Sequence, residues 1–64
     1  MPVIIVKARE TEIDTREKKS ALIEALSDAY ARVAGDTEYK DQAMVVIETF
    51  PDENWGRGGG KPLP

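Results

Sequence analysis

Two short β-branched runs on either side of one long amphipathic stretch leave this 64-residue chain few ways to fold. Residues 3 to 8, VIIVKA, and residues 43 to 50, AMVVIETF, read as strands, because Val, Ile and Thr suit a pleated, half-buried backbone. Between them, from Thr15 to about Ala34, the residues Ala21, Leu22, Ala25, Leu26, Ala29, Tyr30 and Val33 recur at steps of three and four. That spacing predicts one apolar face of a long helix. Asp14 is placed to cap its N-terminus, and Glu17 three residues later completes a capping-box pattern. Gly35 stands where a residue with positive φ ends a helix. DTEYKDQ, residues 36 to 42, is a polar connection with room for one short helical turn. Pro51 and Asp52 close the second strand, and ENWGRGGGKPLP after them is turn-rich sequence able to form a tight hairpin.

Strand, helix, strand is a βαβ unit, with parallel strands and a right-handed crossover. One helix covers one face of the sheet, and nothing in the chain remains to cover the other. Parallel sheets are normally covered on both faces, and open edges invite pairing. The expectation is that another copy of the chain supplies what is missing. A domain of this size buries only about 60% of its unfolded surface, and there are no cysteines or histidines to build disulfides or common zinc sites. Oligomerisation is the remaining staple. The fold class is therefore α/β (α+β): a single domain over residues 1–64, a short βαβ subunit with a C-terminal hairpin, completed by oligomerisation.

Charge narrows the partners. A net charge of -3 and a pI near 4.8 argue against binding nucleic acid, which calls for a basic surface. No stretch approaches the roughly 20 apolar residues of a membrane span, and no export signal is evident. The expectation is a cytoplasmic soluble protein.

NWGRGGGK, residues 54 to 61, invites a phosphate-binding reading and fails it. The P-loop pattern needs glycine where Trp55 stands and a hydroxyl where Pro62 stands, and no helix can follow. The dinucleotide fingerprint begun at Gly56 meets Lys61 in place of its last glycine. One RGG in an acidic chain is weak evidence for RNA binding. A glycine-rich turn remains, either purely structural or lining a site. At the other end, Met1 before a small residue is expected to be removed, leaving Pro2 with a free secondary amine. Such an amine becomes a useful base when burial or nearby cations lower its pKa.

Taken in order, MPVIIV, DTREKKSALIEALSDA, VVIE and NWGRGGG resemble the 4-oxalocrotonate tautomerase family, the small members of the tautomerase superfamily, over nearly the whole chain. The resemblance implies βαβ subunits paired edge to edge into four-stranded sheets, and three such dimers in a hexamer. It implies Pro2 as catalytic base, acting on a small 2-oxo or 2-hydroxy-enoic acid with no metal or organic cofactor. Trp55 matches the aromatic residue that walls the family's apolar pocket.

The chain departs from the family at its two substrate-binding arginines, whose positions hold Ile13 and Met44. Arg9 lies where the halo-acrylate dehalogenase branch carries a carboxylate-binding arginine. Arg57 lies where that branch carries a water-activating acid, a role closed to an always-protonated guanidinium. Either arginine can form a two-point fork to a carboxylate. Strand alternation is taken to turn Lys7 away from Pro2's neighbours. The leading expectation is a keto-enol tautomerase with Pro2 as base and Arg9, Arg57 and Trp55 holding substrate. The alternatives are a decarboxylase or hydratase of the same superfamily, or a non-catalytic assembly module whose site has lapsed.

Overall fold

The computed structural model describes residues 2–63. Its elements follow the expected order: β1 (Val3–Arg9), α1 (Arg16–Ala34), a single-turn α2 (Tyr39–Gln42), β2 (Met44–Phe50), a 3-10 turn (Asp52–Asn54), and a hairpin of β3 (Gly56–Arg57) and β4 (Lys61–Pro62). β1 and β2 are parallel, in register from Val3 opposite Met44 to Arg9 opposite Phe50. β3 and β4 are antiparallel and form a separate sheet. This is the βαβ subunit with a C-terminal hairpin that the sequence predicts.

The start of α1 differs from expectation. Thr15, not Asp14, is the N-cap: its backbone is extended at φ -115° and ψ 158°, and its hydroxyl accepts from the Lys18 N–H at 3.1 Å. Asp14 lies one residue too early to reach the free amides. Its carboxylate instead pairs with Lys18 Nζ at 3.1 Å, and this bond holds its pKa below the usual value. With Thr15 as cap, the third helical position is Lys18 rather than Glu17, so no capping box forms. The other end is as read from the sequence. Gly35 sits at φ 79°, and the N–H groups of Gly35 and Asp36 both donate to the Ala31 carbonyl, at 3.0 and 3.2 Å.

The buried face of α1 is displaced from the predicted stripe. Ala31 and Ser27, at 5% and 6% exposure, are the buried residues, whereas Ala21 and Ala25 are exposed and Val33 is 88% exposed. The reason is that α1 packs against two elements, β2 and α2. Lys40 of α2 pairs with Asp28 at 3.0 Å, which raises the Lys40 pKa. Tyr39 meets Tyr30 edge-on at 6.0 Å. Ser27 is tolerated inside because its hydroxyl donates to the Ile23 carbonyl at 2.8 Å, and the Glu24 carbonyl lies 3.0 Å away.

Along β1 and β2, alternation gives the sheet two unlike faces. Ile4, Val6, Val45 and Ile47 are half-buried, while Val3, Ile5, Met44 and Val46 are 59%, 59%, 51% and 43% exposed. No large side chain among the described residues is fully buried. The surface of 4970 Å² is well above the roughly 4,100 Å² typical of a compact monomer of this mass. The radius of gyration, 14.6 Å, exceeds the roughly 11 Å of a compact domain of this length. The single chain has a fold but hardly a core.

Two substitutions test the helix boundaries. Thr15→Ala should destabilise the protein by about 1 kcal/mol in denaturant unfolding, and Asp14→Ala by clearly less. Gly35→Ala should cost about 1–2 kcal/mol. A Cβ there meets nothing within 4 Å, so that loss comes from the left-handed backbone and not from a clash.

Candidate active site

Parallel pairing sorts the candidate residues to opposite ends of the sheet. Pro2 precedes β1 and is half-buried, and its carbonyl accepts from the Met44 N–H at 2.9 Å. This bond fixes the entry to the sheet through backbone alone. Arg9 ends the same strand, opposite Phe50. At about 3.3 Å per residue, Pro2 and Arg9 stand roughly 23 Å apart, far beyond the span of a small oxo acid.

Trp55 is positioned at the Arg9 end. Pro51 turns the chain out of β2, and the 3-10 turn returns Trp55 to Phe50, where the rings meet edge-on at 6.3 Å and 69°. An open cavity of about 330 Å³ lies here, lined by Lys7, Phe50, Asn54 and Trp55. The indole N–H is enclosed and has no acceptor among the described residues, an arrangement that costs about 1–3 kcal/mol. Lys7, rather than Arg9, supplies the cation to this cavity. Alternation turns Lys7 as expected, onto the face of Val3 and Ile5, and Lys7 and Arg9 share one parity and hence that face of β1. That face is the one Trp55 folds over. The parity was readable from sequence, but the return of the chain after Pro51 was not.

Arg57 lies on the hairpin, where it stands opposite Lys61. Two cations facing each other across a ladder repel, so the pair is a ready receptor for an anion, offset by Glu53 in the same shallow concavity. Gly59 and Gly60, at φ 91° and 79°, make the turn that allows this pairing. Leu63 N–H closes the base of the hairpin on the Trp55 carbonyl at 3.5 Å.

Ile13 and Met44, the positions that the resemblance sets against arginines, lie apart as well. Ile13 is held by a turn after β1, in which the Glu12 and Ile13 N–H groups donate to the Arg9 carbonyl at 3.1 and 3.4 Å. It lines a cavity of about 370 Å³ with Glu10, Thr11, Asp14, Lys19 and Thr49. Two acids against one lysine make this a poor place for a carboxylate. Met44 opens β2 beside Pro2 and gives that end an apolar flank. Within one chain, then, Pro2 is brought together with none of Arg9, Trp55 and Arg57.

Among the described residues, no group of three or more His, Cys, Asp or Glu side chains is placed to hold a metal. No helix among them is long and apolar enough to cross a membrane.

A βαβ subunit opened by a proline and closed by a glycine hairpin defines a small α+β protein whose candidate groups sit at strand ends. The family model described as "Tautomerase enzyme" matches residues 2–62, and the chain belongs to that family. Apart from Met1, the residues that carry the resemblance to the 4-oxalocrotonate tautomerase family fall within the matched span, so the resemblance and the match agree. No curated protein and no solved structure shows a significant match to it.

The Phe50–Trp55 contact can be checked directly, because Trp55 is the only tryptophan in the chain. Phe50→Ala should red-shift and broaden its emission as the indole becomes hydrated, with a stability loss that includes about 0.5–1.5 kcal/mol for the ring pair.

Proposed function

We propose that this protein is a cofactor-independent keto-enol tautomerase acting on a small 2-oxo or 2-hydroxy-enoic acid, with the Pro2 amine as general base. The base must be free, so the reading requires removal of Met1, which lies outside the described residues. Pro2 takes the proton from the enol hydroxyl, or from carbon next to the carbonyl, and returns it at another position of the same molecule. A base of near-neutral pKa suffices for such a transfer, and the half-buried setting beside Met44 favours the uncharged amine. Trp55 keeps the pocket apolar, and cations at its end of the sheet bind the carboxylate, with Arg9 and Arg57 the candidates that the resemblance singles out.

The observation that carries the reading is the match over residues 2–62, which begins on Pro2 itself. The separation of Pro2 from Arg9 and Trp55 supports a working site that draws on two copies of the chain. The uncovered sheet face and exposed strand edges support association into an oligomer, as the family's trimer-of-dimers hexamer would provide.

The test begins with protein whose mass shows loss of Met1. Ketonisation of phenylenolpyruvate and of 2-hydroxymuconate should be catalysed, and Pro2→Ala should lower turnover by about 10²–10⁴-fold. Catalysis indifferent to Pro2→Ala would overturn the role of the amine. Mixing and refolding Pro2→Ala with Arg9→Ala should restore part of the activity if the two residues act from different copies. Failure of any mixture to exceed its components would place both residues of one site in one chain.

A further inference from the structure

We propose that the cavity lined by Lys7, Phe50, Asn54 and Trp55 is the subsite that receives the carboxylate end of the substrate, with Lys7 as the residue that holds the charge. The acid it fits is one with a flat aromatic or conjugated body. The proposal rests on the tautomerase reading for its purpose, and on the lining of the cavity for its chemistry.

Three concavities compete for an acidic substrate, and their linings separate them. The one at the end of β1 places Glu10 and Asp14 against a single lysine and repels an anion. The one on the hairpin sets Glu53 beside Arg57 and Lys61. The cavity over the open face of the sheet, about 330 Å³, is lined by a lysine and an amide and no acid. Glu48 stands opposite Lys7 in the strand register but is not among the lining residues and makes no ion pair with it. Lys7 forms no ion pair among the described residues, so its ammonium group is available to a ligand. The Asn54 amide offers a second donor beside it. Phe50 and Trp55, set edge-on, present a corner of two ring surfaces against which a planar body packs. The indole N–H, enclosed without an acceptor, gains one if the ring turns toward a bound carboxylate. Such a turn changes the environment of the only tryptophan.

That tryptophan makes the proposal measurable without turnover. Trans-cinnamate, titrated into the assembled protein, should quench Trp55 fluorescence saturably, and cinnamyl alcohol should bind more weakly. Lys7→Gln should raise the Kd for cinnamate about tenfold or more while leaving that for the alcohol nearly unchanged, and Lys7→Arg should keep most of the affinity. Should Lys7→Gln fail to fold or assemble, Asn54→Asp on the exposed turn takes its place, and there too cinnamate should bind about tenfold more weakly. The proposal is overturned by cinnamate and alcohol binding alike, by absence of saturable quenching, or by unchanged cinnamate affinity in the decisive variant. Repeating the titration with Pro2→Ala keeps the two readings apart. Binding that depends on Lys7 alongside turnover indifferent to Pro2 sinks only the base. Turnover that needs Pro2 alongside binding indifferent to Lys7 sinks only the subsite.

Discussion

One helix can cover only one face of a two-stranded sheet, and the rest of this structure follows from that limit. The alternation of Val and Ile along β1 and β2 commits half of their side chains to α1 and leaves Val3, Ile5, Met44 and Val46 exposed on a face that the described residues cover only at its far end, where Trp55 folds over. At about 25 cal/mol per Å² of apolar surface, a gain that large left unrealised is serious for a domain whose net stability is only several kcal/mol. The surface and radius in excess of a compact monomer express the same shortage. α2 helps a little by adding an ion pair and an aromatic contact to the back of α1. It does nothing for the open face.

Parallel pairing imposes the second constraint. In an antiparallel hairpin, the start of one strand lies beside the end of the next, and distant residues can meet within one short chain. Here both strands run the same way, so the start of β1 neighbours the start of β2 and the end neighbours the end. The proposed base therefore belongs to one pole of the subunit, while the aromatic wall and the cations belong to the other. Incompleteness of the core and the separation of the candidate site residues have a common origin in this topology, and the association proposed above would address both.

Much of the fold was legible because it depends on local rules. β-branched runs, a three- and four-residue apolar rhythm, and a glycine after it gave β1, α1 and β2 to within a residue or so of their bounds. Misreadings arose where two local rules competed or where a distant element intervened. Asp14 and Thr15 are both good caps, and only backbone geometry decides between them. The buried side of α1 depends on α2, which pulls Ala31 inward and leaves Val33 outside. Of the candidate site, Pro2, Arg9, Trp55 and Arg57 could be picked out from residue type and resemblance. Lys7 was set aside, and Phe50 and Asn54 were not picked out, because their meeting depends on how the chain doubles back after Pro51, and no pattern in the strands encodes that.

Pro2 is tied to the sheet by a backbone hydrogen bond, its own carbonyl accepting from the Met44 N–H. A backbone tether is indifferent to what the neighbouring residues are, provided they can remain extended. The residues that would shape a ligand pocket, by contrast, stand on side chains at the far pole and on a hairpin with few ties to the rest of the chain. Evolution can thus rewrite the pocket over a wide range while the amine keeps its place.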